Sequence, residues 1–583
     1  MTISSKLTEW RDNPVTYRYI VLSNTTLGSF MAFLNTSILI ISLPAVFKGI
    51  KLQPLAPGNV GYLLWTLLGF QVAAAILVVA FGRLGDILGR VRLYNLGFLV
   101  FTVASAALAL LPGKGGSGAM ELIVLRVVQG IGGALIFANS TAIITDAFPA
   151  QRRGAALGIN QVAGLAGSFI GLIAGGLLAD LDWRLVFWVS VPFGIIGTIW
   201  AYYMLKDQST RLKSKVDLVG GGLFGLSLVL ILIAITYGVQ PHGTASMSWR
   251  APYVDGELIV GFVLLVVFLI YETKSDHPML NPRLFLNRAF SAGAFSNLLS
   301  AMGRGGLQFM LILWLQGIWL PLRGYNFSQT PLWAGIYLLP LTFGFLLAGP
   351  ISGYLSDRYG ARYFSTLGML VATVSFICLV LLPVNFAYPD FAVIIFLNGV
   401  GFGLFAAPNT SAVMSSVKPT DRGAASGVMA TFINTGQVLS VGIFFSLLIA
   451  GLSSALPHHL LNGLIANGVP KPAAVRLSEV PAVASIFAAF LGYNPLQLLL
   501  GPAARSIPHA RLVHLYGHSF FPSLISGPFK HGLVIAFALA VVLCLVAAVT
   551  SWLRGGDRMI HVESEAVSIV DGIDQVAPDP QSV

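Results

Sequence analysis

Charge is scarce in this sequence, and its scarcity excludes a soluble globular protein. Only 10% of the 583 residues are charged and 56% are hydrophobic, whereas a soluble domain carries about 25% charged residues. A water-facing surface cannot be built from so few charges. The apolar runs recur along the whole chain, and each is close to the roughly 20 residues that a helix needs to cross a bilayer. The sequence therefore predicts an all-α protein with many membrane spans.

Cysteine is also scarce, and a nucleotide-binding loop is missing. The two cysteines, Cys378 and Cys544, lie in apolar runs, where cysteine is a packing residue, so no disulfide or zinc framework is expected. The sequence has no G-x-x-x-x-G-K-[ST] loop, which disfavours an ATP-driven pump. No catalytic constellation stands out, so neither enzymatic activity nor a cofactor or metal is expected. His514 and His518 are interpreted as loop residues rather than metal ligands.

Fourteen apolar segments are long enough to span a membrane. They are predicted at 20–46, 60–82, 93–112, 120–145, 155–179, 184–205, 217–238, 256–272, 290–317, 332–353, 363–383, 390–414, 425–452 and 531–553. Most lysines and arginines fall in connections on the side of the N-terminus, so the positive-inside rule predicts a cell-membrane protein with both termini cytoplasmic. The same distribution accounts for the formal net charge of +11 and disfavours nucleic-acid binding.

The segment 453–530 interrupts the regular spacing of the spans. Its apolar patch at 483–500 is broken by Gly492 and Pro495. We expect an extracellular cap with one or two amphipathic helices. The alternative is a fifteenth span, which would reverse the orientation of the polar, acidic tail. That tail is predicted to be disordered.

A charged phrase occurs twice in the sequence. The first copy is GRLGDILGRVR at 82–92 and the second is GYLSDRYGAR at 353–362, with Gly, Leu, Asp and Gly at the same offsets. A second pair of similar phrases, at 138–158 and 408–427, is separated by nearly the same number of residues. A charged turn repeated between spans in two halves of a chain is typical of a transporter built from two bundles.

The duplication predicts how the chain is divided. The predicted parts are a cytoplasmic N-terminus at 1–19, a six-helix bundle at 20–205, a linker with spans 7 and 8 at 206–289, a second six-helix bundle at 290–553 that includes the insertion 453–530, and a cytoplasmic tail at 554–583.

These phrases resemble the major facilitator superfamily, and specifically its fourteen-span drug:proton antiporter branch. The likeness covers about 20–555. The family's turn between spans 2 and 3, G-x-L-x-D-x-x-G-R-[KR], is matched by Gly82–Arg92 with one extra residue before Arg92. The resemblance implies two six-helix bundles plus two extra central spans, alternating access to a substrate path between the bundles, and proton antiport.

Two further phrases carry the same resemblance. R-x-x-Q-G in span 4 is matched by Arg126, Gln129 and Gly130, and the family assigns this arginine to proton coupling or gating. The exporter phrase of span 5, G-x-x-x-G-P-x-x-G-G, is matched by Gly167, Gly171, Gly175 and Gly176, but Leu172 stands in the place of the proline. The four glycines are expected to give span 5 a smooth face for close packing between the bundles.

The two charged turns are predicted to latch the bundles together when the outer gate is open. Glycine allows a tight turn and a close approach, and Asp86 is expected to pair with Arg90 or to face a helix N-terminus. The alternative is a solvated orientation signal. The residues assigned to the latch are Gly82, Arg83, Asp86, Gly89, Arg90, Arg92, Gly353, Asp357, Arg358, Gly360 and Arg362.

Two arginines lie inside predicted spans, where a charge is costly and indicates function. Arg126 is predicted about one turn inside span 4, so snorkelling to the outer headgroups is its alternative interpretation. Arg304 lies in the middle of span 9 among glycines, with Gln308 one turn further on the same face. Arg304 is therefore expected to face a central cavity.

No Asp or Glu lies in the middle of a predicted span, and Asn35 occupies the place in span 1 where the branch has an acid. An amide cannot titrate, so any proton must be carried by carboxylates at the span ends. The residues expected to line the cavity or couple transport are Asn35, Trp65, Gln71, Arg126, Gln129, Asn139, Arg304, Gln308, Asn409 and Asn434. Each could equally be a polar packing residue.

Three functions remain open at this point. The first is a monomeric secondary transporter that exports drugs or other small amphipathic compounds, with proton antiport. The second is a lipid or lipid-precursor transporter that is not coupled through an intramembrane carboxylate. The third is a non-transporting membrane receptor or scaffold. The buried arginines favour an anionic or lipid-like substrate over a dication.

Overall fold

Helices long enough to cross a bilayer account for most of the described chain. The computed structural model describes residues 9–53, 59–207, 217–238, 247–275, 278, 282–418 and 422–554. Its fourteen candidate membrane helices, here called spans 1 to 14, are Pro14–Gly49, Asn59–Leu88, Arg90–Ala109, Gly115–Ala147, Ala150–Leu181, Leu185–Met204, Leu218–Gly238, Pro252–Lys274, Arg288–Leu322, Thr330–Tyr337 continued by Leu339–Tyr359, Ala361–Leu381, Tyr388–Ser415, Arg422–Ala466 and Phe520–Leu553. The predicted tail beyond Arg554 lies outside the described residues.

Asparagine begins the first span of each half. The Asn13 side chain accepts hydrogen bonds from the backbone N–H groups of Val15 and Thr16 at the start of span 1. Asn287 does the same at the start of span 9, where it accepts from the amides of Ala289 and Phe290. Such side chains satisfy amide groups that have no partner inside the helix.

The two halves of the chain repeat one pattern of helix packing. Span 1 packs on span 5, span 2 on span 4, and span 3 on spans 4 and 6. The corresponding helices of the second half pack in the same way: span 9 on span 13, span 10 on span 12, and span 11 on spans 12 and 14. The predicted fold of two six-helix bundles is therefore confirmed.

Spans 7 and 8 form a pair beside the bundles. Span 7 contacts span 2 of the first bundle and span 13 of the second, and span 8 packs on span 7. The Ser227 hydroxyl donates a hydrogen bond to the Gly261 carbonyl between them. Much of span 8 exposes large apolar side chains such as Phe262 and Ile270, which is the surface expected of a helix that faces lipid.

Both charged turns lie at the same end of the molecule. The first follows span 2 and the second follows span 10, and the even number of spans between these points returns the chain to the same side. We call this side the charged end, and we call the other side, which carries residues 467–519, the cap end.

The cap segment differs from its prediction. Span 13 runs on to Ala466 and span 14 begins at Phe520, so the segment between spans is shorter than 453–530. All nine residues of its helix Ala482–Phe490 are buried. This helix is bent 90° from Lys471–Ser478, and it packs against spans 2, 9, 13 and 14. Phe487 contacts Phe445 of span 13 with ring centroids 5.3 Å apart.

Candidate functional site

The two charged turns share one backbone conformation. Gly89 has φ +108° and Gly360 has φ +91°, a region that side chains with a Cβ rarely adopt. The Gly89 amide donates to the Gly85 carbonyl at 2.9 Å, and the Gly360 amide donates to the Ser356 carbonyl at the same distance. Glycine at the same offset in both phrases is therefore required by the turn.

Arg90 forms the centre of an ion-pair cluster in the first turn. Its guanidinium contacts the Asp86 carboxylate at 2.7 Å and the Asp146 carboxylate at 2.6 Å. Asp146 comes from the end of span 4, so the cluster joins that helix end to the turn between spans 2 and 3. All three side chains are about one quarter exposed. These contacts lie within the first bundle, whereas the charged turn was predicted to form a latch between the two bundles.

Other residues of the first turn contact connecting segments at the charged end. The Arg83 guanidinium donates to the Pro278 carbonyl at 2.8 Å, in the connection that precedes span 9. A Cβ placed on Gly89 would overlap the Asp207 carboxylate. Asp207 thus lies beside the N-terminus of span 3, where the helix dipole favours an anion. The Arg92 side chain is exposed.

The second turn uses aromatic partners. The Arg362 guanidinium lies 3.9 Å from the centre of the Trp552 ring, near the end of span 14. Arg358 lies 5.6 Å from the Tyr359 ring. These are cation–π distances. The side chain of Asp357 lies outside the described residues.

Arg126 is buried deep in the first bundle. Span 4 begins at Gly115 rather than at residue 120, so Arg126 lies about 16 Å along the helix at 1.5 Å per residue. Its side chain is 1% exposed. The prediction of a position one turn inside the span was wrong, and snorkelling to the headgroups is excluded by this burial.

Four neutral groups surround the Arg126 guanidinium. It donates at 2.5 Å to Asn35 Oδ1 of span 1 and to Gln129 Oε1, and at 3.4 Å to the Thr66 carbonyl of span 2. It also lies 4.7 Å from the centre of the Phe70 ring. The positive charge is stabilised by charge-assisted hydrogen bonds, and no carboxylate is among these partners.

The other predicted cavity residues divide into two groups. Asn139 and Asn409 are fully buried toward the charged end, where Asn139 donates to the Leu135 carbonyl and Asn409 donates to the Gly293 carbonyl. Asn409 also accepts from Arg554. The Asn409 contacts join span 12 to span 9 and to the end of span 14, whereas the Asn139 contact lies within span 4. Partial exposure is retained by Trp65, Gln71, Arg304, Gln308 and Asn434.

The glycines of span 5 face two different neighbours. A Cβ on Gly167, Gly171 or Gly175 would meet the backbone carbonyls of Phe30, Leu34 and Ile38, all in span 1. These three glycines therefore pack inside the first bundle and not between bundles. Gly176 faces the other way, and a Cβ there would overlap the backbone of Leu332 in span 10.

Direct packing closes the interface between the bundles at the cap end. Gly176 of span 5 lies on Leu332 of span 10, and a Cβ on Gly335 would lie 2.7 Å from the Leu172 carbonyl. Nearby, the Gln316 side-chain amide of span 9 donates to the Ile41 carbonyl of span 1 at 3.1 Å. Leu172, which replaces the family's proline, therefore lies at the contact between bundles.

Two features of the site were missed by sequence reasoning. Lys530 of span 14 donates to the carbonyls of Leu379, Val380 and Leu382, at the end of span 11. Gln316 crosses between the bundles as described above. A lysine or glutamine inside an apolar run is the signal that could have found them.

No metal centre is formed by the described residues: within these ranges, no three His, Cys, Asp or Glu side chains lie close enough to bind an ion. The His514 ring contacts the edge of Phe520, and the His518 ring contacts Phe327. Two surface recesses lie at opposite ends of the first bundle, one beside Arg90 and one beside Trp183. Neither recess is lined by Arg126.

Comparison with known proteins places this geometry in a family. The chain is 27% identical to the riboflavin transporter RibZ of Clostridioides difficile over 74% of its length and 88% of that protein's. It is 27% identical to the multidrug resistance protein Stp of Mycobacterium tuberculosis, covering 76% of this chain and 78% of Stp. It is 25% identical to the multidrug transporter protein MdtP of Bacillus subtilis, covering 85% and 87%.

Solved structures share the fold. A bacterial homologue of the human lysosomal transporter Spinster, in an inward-facing and unoccupied conformation, aligns with TM-score 0.57 at 17% identity over 92% of this chain and 97% of its own. The xylose transporter XylE of E. coli aligns with TM-score 0.50 at 12% identity over 84% and 98%. Residues 25–441 match the Major Facilitator Superfamily, and the chain therefore belongs to that superfamily of multi-pass membrane transporters.

Proposed function

We propose that this protein is a secondary active transporter that exports small amphipathic molecules by alternating access, as a monomer in the cell membrane. The observation that carries the proposal is the closed contact at the cap end, where Gly176 lies on Leu332. Two repeated bundles joined in this way can part at one end and close at the other. The names of the relatives Stp and MdtP support a drug-like substrate.

The orientation of the chain follows from its charges. With both termini in the cytoplasm, the charged end faces inward and the cap end faces outward. On that orientation, the contact of Gly176 with Leu332 lies at the outer side of the membrane. Opening to the outside would separate spans 1 and 5 from spans 9 and 10.

Proton antiport requires a group that titrates as access alternates. Asn35 cannot do so, although it occupies the position beside Arg126. We propose that any coupled proton is carried by the cluster of Asp86, Arg90 and Asp146, which holds two carboxylates for one guanidinium. Movement of span 4 away from the turn would separate Asp146 from Arg90.

Transport by purified protein in proteoliposomes tests the proposal. Efflux of an amphipathic dye should depend on an imposed pH gradient, and Asp146→Asn should remove that dependence. Asp182→Asn, a change in an exposed carboxylate at the other end of the first bundle, is the matched control. Dye movement equal to that of empty liposomes would refute the transport function and favour the scaffold.

A lipid-like substrate is the second candidate. The observation that favours it is the Arg126 site, where a buried cation is held by Asn35 and Gln129 without any acid. A carrier uncoupled from protons could move a lipid down its own gradient. Movement of a fluorescent lipid that is indifferent to the pH gradient, in the same liposomes, would select this function over drug export.

A further inference from the structure

Arg304 lies near the middle of span 9. Span 9 places it sixteen residues after Arg288 and eighteen before Leu322, which is about 24 Å and 27 Å along the helix at 1.5 Å per residue. The hydrocarbon core is roughly 30 Å thick. From the middle of span 9, the Arg304 side chain therefore cannot reach the headgroups on either side of the membrane. The helix around it is among the most buried of the spans.

Among the described residues, the guanidinium of Arg304 contacts one aromatic ring. Its central carbon lies 5.7 Å from the centre of the Phe345 ring in span 10. Within the described ranges it makes no hydrogen bond and no ion pair, although arginine carries five N–H donors. The residue nevertheless retains partial exposure. Arg126 is the contrast, since its donors are taken by Asn35, Gln129 and Thr66.

The glycines beside Arg304 determine which side of the helix stays open. Gly305 packs against Ser440, where a Cβ would lie 2.6 Å from the hydroxyl, and Gly306 packs against Phe444. Both contacts are with span 13. Arg304 is left on the side of span 10, and Gln308, one turn further, is also partly exposed and makes no hydrogen bond to a described residue.

The second bundle offers Arg304 no counter-ion of its own. Spans 9, 13 and 14 contain no Asp or Glu, and the acids of spans 10 and 12, Asp357 and Asp390, lie near helix ends. An unpaired cation in the membrane interior is costly. An acidic group from a bound molecule would remove that cost, and the Phe345 ring would contact its apolar part.

We propose that Arg304 is the binding site for the acidic group of an amphipathic organic anion, with Gln308 as an additional donor. A carboxylate, sulfonate or phosphate can accept two parallel hydrogen bonds from a guanidinium. This inference rests on the proposed transport function and narrows its substrate class to molecules that combine one acidic group with an aromatic or aliphatic body.

The test compares two probes on one aromatic scaffold, one bearing a carboxylate and the other a quaternary amine. Binding is measured by calorimetry on the purified full chain in neutral detergent. Wild-type protein should bind the anionic probe at least tenfold more tightly than the cationic one. Arg304→Gln should remove that preference, and Arg304→Lys should restore part of it. Equal binding of the anionic probe by wild-type and Arg304→Gln protein would overturn the inference.

Two further measurements cover a variant that does not fold and identify the source of the acidic group. If Arg304→Gln does not fold, competition on wild-type protein decides: displacement of the bound anionic probe by other carboxylates but not by amines supports the site, and equal displacement refutes it. Liposomes of phosphatidylcholine or phosphatidylglycerol identify the source of the acid, because a lipid headgroup ligand would make the second lipid inhibit probe binding. Transport failure with intact anion binding would refute the transport function and leave the site standing.

Discussion

Arg126 Nη1 lies 2.5 Å from Asn35 Oδ1, so two residues from spans 4 and 1 form a buried contact between a permanent cation and a neutral amide. The Asn35 Nδ2 group on the other side of the amide has no partner among the described residues. The drug:proton antiporter branch that this chain resembles has an acid at the place of Asn35. With an acid there, the same geometry would produce an ion pair with Arg126. This single position therefore determines whether Arg126 has a carboxylate or a neutral amide as its partner in span 1.

Asn35→Asp should introduce a titratable group at this position. The carboxylate would pair with Arg126 and give the first bundle an intramembrane acid. We expect transport of the same substrate to become more strongly dependent on an imposed pH gradient. The measurement is initial efflux from proteoliposomes with and without the gradient, and identical gradient dependence in the two proteins would contradict the prediction.

Asn35→Leu should lower the stability of the first bundle. It removes an acceptor from a buried guanidinium, and hydrogen bonds to charged groups contribute about 1.5–3 kcal/mol. We expect a lower free energy of unfolding in detergent for this variant and not for Asn35→Asp. Thermal unfolding followed by the loss of monodisperse protein provides the comparison.

The sequence predicted the turns better than it predicted their partners. Gly82 and Gly89 were expected to allow a tight turn. Gly89 has a positive φ, a local property that favours glycine, as does Gly360 at the same offset, whereas Gly82 lies inside the helix of span 2. The pairing of Asp86 with Arg90 is also local, since the residues are four apart. The contribution of Asp146 depends on where the end of span 4 lies, and residue spacing within one phrase contains no information on that position.

Long-range packing explains the remaining differences. A spacing of four residues places Gly167, Gly171 and Gly175 on one helix face, but it does not say whether span 1 or span 10 covers that face. The cap is a second example: Gly492 and Pro495 break its apolar patch, but that pattern does not say that neighbouring spans bury all nine residues of Ala482–Phe490. Which apolar segment is covered by protein and which by lipid is a property of the assembled fold.

Lys530→Met should destabilise the second bundle. The Lys530 ammonium donates to three carbonyls, of Leu379, Val380 and Leu382, at distances of 3.2, 2.8 and 2.5 Å. It thereby satisfies carbonyls at the end of span 11, where the helix dipole also favours a cation. Methionine keeps the apolar stem without donors, so we expect a loss of about 1–3 kcal/mol in the free energy of unfolding.

Lys530→Arg serves as the comparison for that variant, because it keeps both the charge and the donors. Denaturant unfolding of the purified proteins should rank Lys530→Met below Lys530→Arg. Equal stability of Lys530→Met and wild-type protein would show that water replaces the ammonium at these carbonyls.

Asp12 should titrate below its usual range. A hydrogen bond from Lys206, together with the charge of that lysine, lowers the pKa of the Asp12 carboxyl from 3.8. A depressed folded-state pKa stabilises the contact above the unfolded-state value, and this stabilisation is lost as the pH falls through the folded-state value. The contact should therefore hold the N-terminal segment to the end of span 6 at neutral pH and release it in strong acid.

NMR titration of the Asp12 carboxyl carbon in nanodiscs measures this effect directly. Lys206→Met should return the midpoint toward the usual value, and high salt should do the same in part because the pair is exposed. A midpoint unchanged by Lys206→Met would assign the shift to another group.

Two adjacent glycines of span 5 pack against different bundles, so their variants can distinguish contact at the gate from packing within the first bundle. A Cβ at Gly176 would lie 2.5 Å from the Leu332 amide nitrogen in the other bundle, whereas a Cβ at Gly175 would lie 2.8 Å from the Ile38 carbonyl in its own bundle. Gly176→Ala should therefore oppose closure of the cap end and shift the population toward the state that is open there. Gly175→Ala should lower stability without that shift.

Distances between spin labels at Asp180 and Gln329, two exposed residues at the cap ends of spans 5 and 10, report the gate. The labels require replacement of the native Cys378 and Cys544. A longer distance population in Gly176→Ala that is absent from Gly175→Ala would identify the contact with span 10 as the gate. Identical label distances in the two variants would mean that the cap end accommodates the methyl group at Gly176 without opening. Span 5 would then be only a packing helix.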